Sequence, residues 1–192
     1  MQQKRVVPQR SDAQRNRERI LAVALEELTR CPDAALSAIA KKACVGQGTF
    51  YRNFPNRESL VLEIYRHEMR QVADSAAQLL DELPAERALR AWMDRLAEFA
   101  MTKAGLADAI RFATSGPGGP AKPSPTPLAE AADLLLRANE EAGTIRPGVT
   151  ADDFILAIAG LWLIDPTDDW RPRATRLLDL VMAGLRAGSP GS

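Results

Sequence analysis

The residues best equipped for recognition chemistry stand together at Gly46-Gln47-Gly48-Thr49-Phe50-Tyr51-Arg52-Asn53, with Arg57 shortly after. Their chemistry is hydrogen bonding, not bond making. A glutamine amide carries a donor and an acceptor side by side, which matches the paired groups on an adenine edge, and threonine adds a hydroxyl and a methyl that suits thymine. Tyrosine, arginine and asparagine donate to phosphate oxygens, contacts that fix a docking register without reading sequence. In a helix built only for packing, each glycine would cost about 1 kcal/mol relative to alanine. Glycine at a helix start instead permits close approach, and the free backbone amides there favour phosphate. Phe50 and Phe54 have the spacing of one helix face and are expected to point inward.

Positioning these groups falls to helices. Residues 1–10 are polar and basic without a period and read as a flexible arm, in which Lys4, Arg5 and Arg10 are candidates for a minor groove. Ser11 and Gln14 have capping-box spacing, so a helix is expected from Ser11, with Ile20, Leu21, Ala24, Leu25 and Leu28 as its apolar stripe and Cys31-Pro32 as its stop. Asp33 is expected to cap a second short helix running to Ala43. A third runs from Gly46 or Gln47 to Phe54. Asn56 caps a long fourth helix that meets no breaker until Pro84. Further helices fit Pro84–Lys103, Leu106–Thr114, Leu128–Ala142 with Gly143 as stop, Ala151–Ile164 capped by Thr150, and Arg171–Arg186. Ser115–Pro127 is rich in glycine and proline and reads as a flexible loop. No segment alternates with period two, so the expected fold is all-α. Its divisions are a basic arm over 1–10, a helix-turn-helix domain over 11–55, a helical regulatory and dimerisation domain over 56–187, and a flexible tail over 188–192.

Composition narrows the classes. The 192 residues carry 25 Lys and Arg against 25 Asp and Glu, yet residues 1–60 hold eleven basic and six acidic side chains, a surplus that suits a polyanion. Two cysteines, Cys31 and Cys44, and one histidine, His67, support neither a disulfide framework nor a zinc site, so no metal is expected and a reducing, cytoplasmic setting fits. The longest apolar run, Phe154–Ile164, falls short of the roughly 20 residues that span a bilayer. No signal-peptide core follows Lys4 and Arg5, so no membrane association is expected.

The stretch IAKKACVGQGTFYRNFPNRESLVLEIY, Ile39–Tyr65, resembles the DNA-binding region of the TetR (tetracycline repressor) family of bacterial transcriptional regulators. Ile39, Ala40, Ala43, Val45, Gly48, Thr49, Phe50, Tyr51, Phe54, Glu58 and Leu60 fall in register with the family pattern, and RERILAVALEEL, Arg17–Leu28, resembles its first helix. The resemblance implies that Gln47, Gly48 and Thr49 read bases, that Tyr51 and Arg57 contact phosphates, and that Ser37 touches the DNA backbone. Gly46, Asn53, Arg52 and Lys41 or Lys42 complete the candidate set. Three departures stand out. Cys44 replaces the usual turn glycine, where a left-handed backbone would cost about 1 to 2 kcal/mol. Gly46 stands where a capping serine is common, and Asn53 where histidine is common.

The carboxy-terminal two thirds are expected to pair two copies and to enclose an effector. Phe154, Ile155, Ile158, Leu161 and Trp162, with Leu177, Leu178, Val181, Met182 and Leu185, are the candidates for a four-helix dimer interface. Trp92, Leu96 and Phe99 share a helix face, and Met69, Met93, Met101, Phe112, Leu135 and Trp162 are further candidates for a pocket wall. Arg66, His67, Arg95 and Arg111 are possible polar anchors. MTKAGLADAI, Met101–Ile110, and EEAGTIRPGVTADDFILAIAGLWL, Glu140–Leu163, resemble the SbtR-like subgroup of the family. The reading is a homodimeric repressor that binds a palindromic double-stranded operator and is released by a small-molecule effector, with no cofactor. Two alternatives stay open, an activator and a helical interaction protein that does not read DNA. An enzyme is disfavoured because the chain has no G-x-S-x-G, Walker loop or dinucleotide fingerprint.

Overall fold

The structure, a computed structural model, describes residues 9–31, 33–102 and 127–188, with side chains from Gln14 onward. Among them there is no strand. The helices are α1 (Gln9–Arg30), α2 (Leu36–Lys42), α3 (Gln47–Asn53), α4 (Arg57–Glu82), α5 (Ala85–Thr102), α6 (Pro127–Glu141), α7 (Ala151–Ile158) and α8 (Trp170–Arg186), with a 3₁₀ helix over Ala159–Leu163. The chain divides into two compact units, residues 1–67 and 68–192, and α4 begins in the first and ends in the second. The expected helix Leu106–Thr114, residues 115–126 of the expected loop, Phe112, Arg111, and residues 1–8 of the arm lie outside the described residues.

The first unit is organised by one small core. Ile20, Leu21 and Ala24 of α1 are buried, as are Ile39 and Ala40 of α2 with Ala43, Phe50 of α3 with Phe54, and Leu60, Val61 and Ile64 of α4. The Phe50 and Phe54 rings lie 5.6 Å apart. The turn between α2 and α3 is a Schellman cap: Val45 N donates to Ala40 O and Cys44 N to Lys41 O, each at 3.0 Å. Cys44 takes the left-handed position in it, at φ +53°. It adopts the glycine-type turn despite its side chain. α4 opens on a reciprocal cap, with Ser59 N donating to Asn56 Oδ1 at 2.8 Å and Asn56 N donating to Ser59 Oγ at 3.4 Å.

Several boundaries differ from the sequence reading. α1 starts at Gln9, so Ser11 lies inside the helix and is not its cap. α2 starts three residues after Asp33, with Ala35 as its N-cap in extended geometry and no side-chain cap. The reason is long-range: Arg57 Nη2 donates to the Ala34 carbonyl and holds that segment extended. The helix expected over Ala151–Ile164 tightens to 3₁₀ after Ile158. Gly160 permits a close approach there, since a Cβ on it would meet Leu177 Cδ2 at 3.3 Å.

In the second unit Trp92 is fully buried, its Nε1 donates to the Val72 carbonyl at 2.9 Å, and its ring lies 6.3 Å from that of Phe154. Leu89, Met93, Leu96, Leu135, Ile158 and Leu178 pack in the same core. Buried Asn139 is satisfied at every atom that needs a partner: Nδ2 donates to Ala85 O and Leu135 O, and Oδ1 accepts from Thr144 Oγ1. α6 ends in a second Schellman cap at Gly143, φ +67°. Ion pairs join Glu86 to Arg186, Arg90 to Asp179, and Glu98 to Arg171. As the α5 number rises the α8 number falls, so these helices run antiparallel. Each pair is at least partly exposed and contributes register more than energy, about 0 to 1 kcal/mol.

Candidate nucleic-acid interface

α3 is seven residues long and buries only Phe50 within its span. Gly46, Gln47, Gly48, Thr49, Arg52 and Asn53 are all exposed, and Tyr51 retains 41% of its surface. The Tyr51 ring meets Phe50 edge-on at 5.6 Å, so a buried ring braces an exposed phenol. Nothing lies within 4 Å of a Cβ built on Gly46 or Gly48. Packing within the chain therefore does not require either glycine. A hollow of about 440 Å³ opens between the two short helices, lined by Ser37, Ala38, Lys41, Val45, Gly46 and Gln47. It brings expected base-reading and backbone-touching residues onto one surface.

The cations divide in a way the sequence did not disclose. Lys41 is exposed, whereas Lys42 Nζ bonds Glu26 Oε1 and Glu27 Oε1, each at 2.8 Å, and ties α2 to α1. Hydrogen bonds from Lys42 and then Arg30 hold the Glu27 carboxyl below its ordinary value, and Glu26 and Glu27 raise Lys42. Lys42, its ammonium matched by two carboxylates, serves as a strut between α1 and α2. Arg57 is half-buried and spends one nitrogen on Ala34 O. Asn53 Nδ2 donates to Thr49 O at 2.8 Å, and Arg52 Nε donates to Gly48 O at 3.1 Å. Sequence reasoning passed over Arg17, which reaches Asn53, Phe54 and Glu63 together. The signal was weak, an arginine at a helical position ahead of an apolar stripe.

The other expected sites also separate. Trp92, Leu96 and Leu135 are sealed in the core and Phe99 is 5% exposed, while Met69 and Trp162 are half-buried. Val72, Ser75, Arg95, Glu98, Phe99 and Thr102 line an open cleft of about 300 Å³ between α4 and α5. Of the pocket residues expected from sequence, Phe99 and the polar anchor Arg95 line that cleft. Among the dimer candidates, Ile158, Leu178, Met182 and Leu185 are buried by their own chain, as are Phe154 and Leu161. In the single chain these side chains belong to the intrachain core. Ile155, Trp162 and Val181 keep partial exposure. The large exposed apolar groups are others: Leu163 at 88%, Leu156 at 74% and Leu180 at 71%.

Two short helices joined by a tight cap, the second bearing a polar face, define a helix-turn-helix regulator with an attached helical unit. Residues 20–64 match the sequence model of bacterial regulatory proteins of the tetR family, and residues 84–187 match that of the C-terminal domain of SbtR-like transcriptional regulators. The chain belongs to the TetR family of transcriptional regulators. It is 43% identical to a TetR transcriptional regulator from Streptomyces coelicolor, over 88% of this chain and 98% of that one, with a TM-score of 0.71. A TetR regulatory protein from Mycobacterium vanbaalenii is 29% identical over 93% and 99%, with a TM-score of 0.67. The FadR repressor of Thermus thermophilus, solved with lauroyl-CoA, is 22% identical over 92% and 100% with a TM-score of 0.59, and shows the shared fold alone. No curated protein matches the sequence. The family and these neighbours are regulators, not enzymes, and no helix among the described residues is long and apolar enough to cross a membrane.

Proposed function

We propose that this chain is a homodimeric repressor that holds a palindromic operator with α3 and releases it when a small molecule binds the helical unit. The observation that carries this is the exposed face of α3, where two glycines unneeded for packing flank Gln47 beside Thr49 and Tyr51. Gln47 and Thr49 read base edges, and Gly48 lets the backbone come close. Ser37, Tyr51, Arg52 and Arg57 hold phosphates, as Lys41 does. The reading head is residues 11–55, and residues 56–187 pair the copies and sense the effector.

Pairing supplies the second half-site. A dimer built on exposed Leu156, Leu163 and Leu180 with half-exposed Ile155, Trp162 and Val181 removes their apolar surface from water. The effector is a hydrophobic or amphipathic molecule, in keeping with the cleft's mix of Phe99 and Val72 with Arg95 and Glu98. Its binding moves α4 and changes the distance between reading heads, so two half-sites of fixed spacing are no longer matched.

Selection of bound duplexes from a random library tests the reading. A two-fold symmetric consensus is expected, and Gln47→Ala with Thr49→Ala should lose about 1 to 3 kcal/mol of discrimination per base contact while the fold survives. Enrichment of no consensus would defeat it.

A further inference from the structure

We propose that Arg17 is a positioning residue that sets the angle of the reading helix by joining it to α4. Its Nη2 pairs with Glu63 Oε1 at 3.0 Å, its Nη1 donates to Asn53 Oδ1 at 3.4 Å, and its guanidinium carbon lies 5.1 Å from the centre of the Phe54 ring. One side chain of α1 thus touches the last residue of α3, its C-cap, and the second turn of α4. The inference rests on α3 being the DNA-reading element, and adds what holds that element in register.

The need for such a group follows from how little else holds α3. Seven residues with one buried side chain form a short rod on a single apolar peg, and Gly46 offers no side-chain cap at the other end. Phe54 adds a second buried ring at the C-cap, but apolar contact is non-directional and leaves rotation about that contact poorly defined. Arginine removes the freedom because its guanidinium is planar and only donates. Facing Arg17, Asn53 must present its oxygen, which leaves its NH₂ for the Thr49 carbonyl at 2.8 Å. The chain Glu63, Arg17, Asn53, Thr49 therefore runs from α4 to a residue placed on the reading face. Glu63 also has Arg66 at 3.8 Å on its own helix, which steadies the carboxylate that fixes Arg17.

The alternative role for Arg17 is a phosphate contact, and the two roles differ in sign at Glu63. Removing an acidic group near a polyanion strengthens binding by electrostatics alone, whereas releasing Arg17 from its anchor weakens it. Arg17 and Glu63 keep 33% and 21% side-chain exposure, so variants at either should fold.

The experiment measures operator and random-duplex affinities of the full chain for Arg17→Lys, Glu63→Gln and the double variant. Each single variant should lose about 10-fold on the selected operator and little on random duplex, and the double should lose no more than either single. Glu63→Gln binding as tightly as the parent, or Arg17→Lys weakening both duplexes alike, overturns the proposal. A parent chain with no preferred duplex defeats DNA reading itself. The positioning role is then judged by the Asn53 side-chain amide resonances, which Glu63→Gln should shift although Glu63 does not touch Asn53. Unmoved resonances also overturn it.

Discussion

Lys42 of α2 pairs with Glu27 of α1 at 2.8 Å, and Glu27 is only 7% exposed. A carboxylate so covered needs its partners, and Lys42 and Arg30 supply them, with Glu26 as a second acceptor for the Lys42 ammonium. The hydrogen bond from Lys42, then that from Arg30, lowers the Glu27 value below the ordinary 4.5. A depressed carboxylate stabilises the fold at pH above its unfolded value, and that contribution is lost as pH falls through the folded one. The thermal midpoint of the parent is therefore expected to drop on acidification below 4.5, and Glu27→Gln to flatten that limb of the curve. A midpoint whose acid dependence is the same with and without Glu27 would count against the strut.

Cys44 sits at the left-handed position of the α2–α3 cap, φ +53°. That geometry costs an L-residue about 1 to 2 kcal/mol, and the greater freedom of an unfolded glycine returns about 0.5 to 1 kcal/mol of the difference. Cys44→Gly is thus expected to raise the unfolding free energy by about 0.5 to 1 kcal/mol, read from urea denaturation. Cys44→Val should lower it, because a β-branched residue tolerates positive φ least.

Gly48 separates stability from function. A methyl there meets nothing within 4 Å, so Gly48→Ala gains helix propensity, about 0.8 to 1 kcal/mol, in the free protein. In the proposed operator complex the same methyl would stand where the backbone approaches the groove. The variant should melt higher and bind more weakly, by calorimetry and by fluorescence anisotropy. A variant that gains stability and keeps full affinity would leave the glycine without a role in DNA approach.

Legibility in the sequence followed how local each cause is. α4 was readable because Asn56 and Pro84 punctuate a long apolar stripe, and α6 because Gly143 supplies its left-handed cap. The start of α2 was not, since it is held by Arg57, 23 residues from Ala34 in sequence. The polar face of α3 could be read from its residues, but Lys41 and Lys42 look alike on paper. Only the placement of Glu26 and Glu27 beside α2 separates them. Arg17 escaped notice for the same reason, its partners being distributed over α3 and α4. In α7 and α8 the apolar residues run round most of the helix, and periodicity cannot assign a face when two faces are apolar.

That ambiguity makes Leu178 and Leu180 a decisive pair. Leu178 is fully buried and Leu180 is 71% exposed, two residues apart on α8. Buried Ala174, Leu178, Met182 and Leu185 form the inner stripe, half-exposed Leu177 and Val181 flank it, and Leu180 lies on the opposite side of the helix. Leu178→Ala leaves a cavity and should cost about 2 to 5 kcal/mol of fold stability. Leu180→Glu, alone or with Leu163→Glu, disturbs no core and should leave helix content and cooperative melting intact. Its effect should appear in sedimentation, where the parent runs as a dimer and the variant as a monomer, because a charge in an apolar interface is left without a partner. Operator affinity should fall with the dimer, since one reading head then holds one half-site. A Leu180→Glu chain that still sediments as a dimer would place the pairing surface elsewhere on the molecule.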